Sequence, residues 1–210
     1  YAKAPYVWTR DELHRLLASG HKYFLYSSRD RAKVESYRSV HRVVAIDRTS
    51  PPRQRIVNLT DAASELTRVL YKHPLTESAI ATVNKIAAAM VECVAEDRSC
   101  VTALGKLAQH DDYTFYHSAR VAAYALAVAM QLSQHDQKAL LEMATGCLLH
   151  DIGKSRVDLM VLHKAGALSP EEWAQMRMHP EFGDEIVSTS LLAAVPRSII
   201  LHHHERFDGT

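Results

Sequence analysis

Cys147-Leu148-Leu149-His150-Asp151-Ile152-Gly153-Lys154 sets an imidazole, a carboxylate and an ammonium within five positions at the end of an apolar, helix-like run. A helix needed only for packing has no use for that combination. Adjacent His and Asp can reach the same ion: imidazole suits Fe, Mn or Zn, and the two oxygens of a carboxylate can bridge a pair of cations. Lys154 lies four positions after His150, on the same face if the helical turn continues, where its charge would meet an anionic substrate. Gly153 is then expected to end the helix. A lone His-Asp pair is more often a surface feature or a capped helix end, so its meaning comes from what surrounds it.

The chain has 13 histidines. His14, His21, His41, His73, His110 and His135 sit in polar or loop-like contexts, where a solvated or hydrogen-bonded role is the default. His117 differs, because it shares a helical stripe with Val121 and Tyr124 and should point inward. His179 lies at helical spacing from Met176, Gly183 and Ile186, with Pro180 breaking the helix beside it. In Ile199-Ile200-Leu201-His202-His203-His204-Glu205 the apolar pair shares a face with His203 and His204, while His202 turns elsewhere. The run continues into Arg206-Phe207-Asp208-Gly209, unlike a purification tag. Inward imidazoles from separate segments each cost free energy if left without a partner. A metal centre at His117, His150, Asp151, His179, His203 and His204 would satisfy them together.

The remaining sequence frames that centre. From Leu59 onward nearly every segment carries helical period and strand signals are absent, so residues 59–210 should form an all-α domain. Helices are expected from Thr60-Asp61 to Leu70, from Thr76 through Val94, and at 99–109, 113–132, 136–149, 170–178, 180–188 and 196–205. The first two suit either a dimerising or signalling hairpin, making a homodimer one option, or packing within their own domain. Ser50-Pro51-Pro52-Arg53 interrupts regular structure and marks a linker. Residues 1–58 then make a small α+β module: a capped helix from Thr9 to Gly20, a strand at Tyr23–Tyr26 and a returning segment at 34–44. Its Arg29, Arg31, Lys33, Tyr37, Arg38 and Arg42 suit a solvated basic face better than a phosphate site. A signalling partner acting through this module is expected.

At 47% hydrophobic and 23% charged, the 210 residues have an ordinary globular composition. A formal charge of +1 gives no global field to recruit nucleic acid or an acidic membrane, so neither is an expected partner. The three cysteines, Cys93, Cys100 and Cys147, fit buried thiols in a reducing compartment, and the cytoplasm is the expected location. No run is expected to reach the ~18 apolar residues of a membrane span. Beginning at Tyr1 and stopping just after Asp208-Gly209, the chain reads as part of something longer.

His117-Ser118-Ala119-Arg120-Val121, then His150-Asp151-Ile152-Gly153-Lys154, then Leu168-Ser169-Pro170-Glu171-Glu172 leading to His179-Pro180, then His203-His204-Glu205-Arg206-Phe207-Asp208-Gly209 resemble, in order, the HD-GYP family of the HD superfamily. The likeness covers about residues 99 to 210. It implies an all-α core holding two or three irons, manganese or related ions, and hydrolysis of the bacterial second messenger cyclic di-GMP to the linear dinucleotide or to GMP. It also implies that the six residues named above are metal ligands, that Asp151 bridges, and that Lys154 contacts a phosphate. The chain ends before the family's Gly-Tyr-Pro tripeptide and before a downstream Asp that completes the coordination. Members with a third ion carry Glu where this chain has Tyr113, and a phenol is a poor ligand at neutral pH, which favours two ions. Iron is the expected metal, with manganese or zinc also compatible. Glu205 and Asp208 are candidates to orient the imidazoles. Other readings are another HD-superfamily phosphohydrolase acting on nucleotides, or a weakly active relative that binds cyclic di-GMP and works as an interaction module.

Overall fold

The computed structural model describes residues 49–210 except 74, 110–112, 133–135, 189, 191, 207 and 210, and omits the side chains of 106–109, 113 and 114. The chain divides into two compact units, Tyr1–Val34 and Glu35–Thr210, and the described residues all belong to the second. The expected α+β module therefore lies almost wholly outside them. Among the described residues the structure is helical without strands, as the periodicity requires.

Helix α1 (Pro52–Leu70) starts eight residues before the expected Thr60. Pro52 sits in its first turn, where a missing N–H costs nothing and the ring presets φ, so the Pro-Pro pair opens a helix instead of marking a break. Ile56, Leu59, Ala63, Leu66 and Leu70 recur every three or four residues and are buried. Thr60 and Thr67 lie on the same buried face, and each hydroxyl donates to the carbonyl four residues back, Ile56 at 2.8 Å and Ala63 at 2.9 Å.

Thr76 caps α2 (Glu77–Glu96) by accepting from the Ala79 N–H. By length and composition α2 could cross a membrane, contrary to the expectation that no run comes close, yet more than half of its apolar window is buried in the helical core. After a 3₁₀ segment (Arg98–Gln109) come α3 (Tyr113–Gln131) and α4 (Gln137–Leu149). The buried face of α3 is made largely of alanines, Ala119, Ala122 and Ala123, which let a neighbouring helix approach closely.

α4 organises the unit. Seven of its 13 residues are buried, including the consecutive run Ala144–Leu149, and it packs against α2, α3 and α8 (Ala194–His202). Such a helix lies inside a core, so the residues directly after its last turn are delivered to the interior. Those residues are His150 and Asp151, 5% and 2% exposed.

A 3₁₀ turn (Ile152–Arg156), a short α5 (Leu159–Leu162), α6 (Pro170–Arg177) and α7 (His179–Val187) complete the unit. α6 carries a full capping box, with Glu172 N–H on the Ser169 hydroxyl and Ser169 N–H on the Glu172 carboxylate. Two helices separate at Met178, where Pro180 takes a first-turn position in α7.

Gly153 does not end α4, which stops at Leu149. It lies in the 3₁₀ turn against α7, where a Cβ would stand 1.9 Å from the His179 carbonyl oxygen and 2.4 Å from the Gly183 nitrogen. Only glycine permits this backbone-on-backbone approach.

Candidate metal centre

Three of the expected ligands are held by one device. The His150 ring nitrogen Nδ1 lies 2.8 Å from the Cys147 carbonyl, His179 Nδ1 2.7 Å from the Met176 carbonyl, and His203 Nδ1 2.9 Å from the Ile200 carbonyl. Each carbonyl belongs to the last turn of a helix, α4, α6 and α8, where an oxygen with two lone pairs is open to a side chain. A carbonyl can only accept, so each Nδ1 donates its proton and each Nε2 is left with a bare lone pair. The end of a helix thus fixes both the tautomer and the aim of the ring.

Those lone pairs converge. His179 Nε2 is 3.0 Å from His203 Nε2 and 3.2 Å from His204 Nε2. The Asp151 carboxylate lies between, with Oδ1 3.3 Å from His179 Nε2 and 3.8 Å from His203 Nε2, and Oδ2 3.3 Å from His150 Nε2. The His117 ring, from α3, stands 5.3 Å from that of His150. Donor atoms fall into two groups, His117 with His150 and Asp151, and His179 with His203 and His204, each within 4.8 Å of one another. All six residues named from the sequence are thereby brought together.

Burial, more than any neighbouring charge, lowers the pKa values of His117, His203 and His204, and takes His203 to about 4. These imidazoles are neutral at pH 7, the state a metal requires. Burial alone would raise the Asp151 carboxyl, but the groups around it, among them the Lys154 ammonium at 2.7 Å, outweigh it and hold the group far below the usual carboxylate range. Asp151 is ionised.

The cluster fits a divalent cation. Asp151 Oδ1 is a buried anionic oxygen with no hydrogen bond. The Nε2 atoms of His150, His179 and His203 present lone pairs, so His179 and His203, 3.0 Å apart, cannot bond to one another. Buried unsatisfied acceptors in such number are costly, and a cation among them satisfies every one.

Lys154 departs from its expected place. The helix does not continue past His150, so Lys154 is carried by the 3₁₀ turn and its Nζ donates to Asp151 Oδ2 at 2.7 Å. The turn still leaves the Lys154 side chain 22% exposed and reachable from solvent. Tyr124, expected on the inward stripe of His117, is 42% exposed. The buried face of α3 runs through Ala119, Ala122 and Leu126, and His117 reaches the site from its rim. His204 is exposed, although its Nε2 joins the cluster. α8 ends at His202, three residues short of expectation; His202 turns outward, where its ring pairs with Glu205. Glu205 therefore orients His202 and not a cluster imidazole.

Sequence reasoning missed the contacts that set these distances. Gly146, inside α4, has Ile199 of α8 where a Cβ would be, with Cδ1 at 2.8 Å. The hydroxyl of Tyr71, just past α1, donates to the Asp151 carbonyl at 2.8 Å. A glycine within an otherwise apolar helix is the signal that could have found the first; nothing in the local pattern signals the second.

Residues 114–210 match the model of the HD domain family. The likeness is to a segment of under half the chain. A cyclic di-GMP phosphodiesterase of Pseudomonas aeruginosa is 37% identical over 113 residues, 53% of this chain and 27% of that protein. A 3'3'-cGAMP-specific phosphodiesterase of Vibrio cholerae is 32% identical over 158 residues, 75% of this chain and 29% of the relative. A cyclic di-GMP phosphodiesterase response regulator of Xanthomonas campestris is 32% identical over 64% of this chain and 36% of its own length. The chain thus spans about a third or less of these curated relatives. Among solved structures, an HDG"Y"P protein from Bdellovibrio bacteriovorus superposes with a TM-score of 0.69 at 19% identity, covering 88% of this chain and 61% of that one. The two share a fold. The matched segment begins within α3 and contains every residue of the cluster, while α1 and α2 lie outside it.

Proposed function

We propose that this chain belongs to a metal-dependent phosphodiesterase that opens a 3',3'-cyclic dinucleotide, cyclic di-GMP first among them, in bacterial second-messenger signalling. The observation that carries the reading is the buried, unbonded Asp151 Oδ1 faced by imidazole lone pairs. In this reading His117 and His150 would hold one ion and His179, His203 and His204 a second, with the Asp151 carboxylate serving both. Two divalent ions, iron by preference and manganese or zinc by donor type, supply an acidified water and offset charge on the phosphoryl oxygens.

The chain's own residues do the rest. Carbonyl-anchored rings hold the donors in place before substrate arrives, so little reorganisation is needed at the moment of reaction. Lys154 keeps Asp151 oriented, and the exposed part of its side chain lets the ammonium meet a phosphoryl oxygen. Water adds to phosphorus, the bond from phosphorus to the ribose 3' oxygen breaks, and that oxygen leaves with a proton, giving a linear dinucleotide. The relatives named for cyclic di-GMP and for 3'3'-cGAMP support the substrate class. Three buried free thiols agree with work in the cytoplasm. The N-terminal unit is read as the input that a signalling partner addresses.

Protein purified without oxygen should contain close to two ions per chain by elemental analysis. Loaded with Fe²⁺ or Mn²⁺, it should convert cyclic di-GMP or 3'3'-cGAMP to the linear form by chromatography and leave mononucleotides untouched. Tight binding without turnover would instead mark a binding module, and turnover of mononucleotides alone would mark a different phosphohydrolase.

A further inference from the structure

We propose that Tyr71 is a positioning residue for Asp151, and that it governs the ion position built by His117 and His150 more than the one built by His179, His203 and His204. The inference rests on the metal-centre reading above. Tyr71 lies 80 residues from Asp151 in sequence and outside the matched HD segment, yet its hydroxyl is on the Asp151 carbonyl at 2.8 Å. The same carbonyl accepts from the Lys154 N–H at 3.0 Å. Both lone pairs of that oxygen are therefore used, and the peptide plane after Asp151 is held from two sides.

That constraint matters at this residue. Asp151 has φ −92° and ψ 7°, the sparsely populated bridge region between a helix that has ended and a 3₁₀ turn that has not begun. Asp151 makes only the first bond of the 3₁₀ turn, through its carbonyl, and its own φ and ψ belong to neither helix. A small rotation there would swing the carboxylate and move Oδ2 relative to His150 Nε2, 3.3 Å away. Burial, then the Asp151 charge, push the Tyr71 phenol well above its usual pKa, so it stays a donor.

The other face of the same ring supplies the selectivity. Tyr71 packs edge-on against Phe115, with centroids 5.3 Å apart, and Phe115 is stacked in turn by the Arg68 guanidinium at 4.8 Å. Phe115 stands two residues before His117 in α3. One side chain thus touches the backbone of Asp151 with its hydroxyl and the helix turn carrying His117 with its ring. Among the described residues the hydroxyl and the ring of Tyr71 meet Asp151 and Phe115, whereas α7 and α8 are set against the cluster through Gly153 and Gly146.

The test is a Mn²⁺ titration of the metal-free full chain, followed by electron paramagnetic resonance, which reads bound ion without any turnover. His204→Ala assigns which of the two binding steps belongs to the outer group. Tyr71→Phe keeps the ring and removes the hydroxyl; it should raise the dissociation constant of the inner step about three- to tenfold, the size of one neutral hydrogen bond, and leave the outer step within about twofold. Tyr71→Leu should show the same metal defect together with a lower melting temperature. Equal weakening of both steps, no weakening, or a defect confined to Tyr71→Leu would overturn the proposal, the last by showing a packing role only. Native protein that takes up no Mn²⁺ would overturn the metal-centre reading, and this one with it.

Discussion

Helix α4 and helices α6 to α8 deliver ligands to one cluster by opposite means. α4 is buried along its whole last turn, so His150 and Asp151 arrive in the interior because the apolar run before them must leave water. α6 has no buried residue, and α8 buries only Pro196 and Ile200. His179, buried at the start of α7, and His203 share the carbonyl hydrogen bond of His150 but depend besides on close contact through Gly153 and Gly146. An inner group anchored by burial is preformed, whereas an outer group anchored by a few short contacts leans more on the ion itself.

Removing Asp151, whose carboxylate lies between the two groups, erases that contrast and should have the largest effect. Asp151→Ala should lose both ions and reduce hydrolysis at least about 100-fold, since metal and bridging oxygen go together. Elemental analysis beside a chromatographic assay reads it, and a variant keeping both metal and activity would contradict the assignment. Gly153→Ala strikes only the outer group. Its Cβ would meet backbone at 1.9 Å, so α7 must move, at about 3 kcal/mol or more of stability by urea unfolding. The inner ion position should survive, and an unchanged unfolding midpoint would show that the contact is looser than described.

Acid separates the groups more gently. His203 titrates at about 4 in the folded chain against 6.5 for a free imidazole, so the unfolded chain binds the extra proton first. Stability that is fully present above pH 6.5 should fall between 6.5 and 4, by up to about 3 kcal/mol from this group, with His117 and His204 shifted in the same direction. Urea midpoints of metal-free protein across that interval would show it; a flat profile would mean that these rings are protonated in the fold. The smallest change is expected at the rim. Glu205→Ala removes the partner of the outward-facing His202, and should leave metal content and stability within about 0.5 kcal/mol of native. A loss of metal there would restore Glu205 as an orienting group.

How much can be read in advance depends on the range of the interactions. Helical period, capping residues and the apolar run into His150 are local, and they reveal the all-α class and most helix bounds. The inward aim of His117, His179, His203 and His204 is also legible, because apolar neighbours at helical spacing say which face is buried. Lys154 sits on a different kind of turn from the one its spacing suggests, since whether α4 continues past His150 depends on α7 packing against Gly153. Glu205 is easily assigned to a cluster imidazole, because its actual partner, His202, and the cluster are equally close in sequence.

The sequence by itself determined that this is a helical chain carrying His, Asp and Lys in the order of an HD-type metal centre, because residue identity and period suffice for that. Only the tertiary structure decided that glycine contacts bring α7 and α8 onto the cluster, and that Tyr71 holds the Asp151 backbone. Those are contacts between residues far apart in the chain, and nothing local to either partner encodes the distance at which they meet.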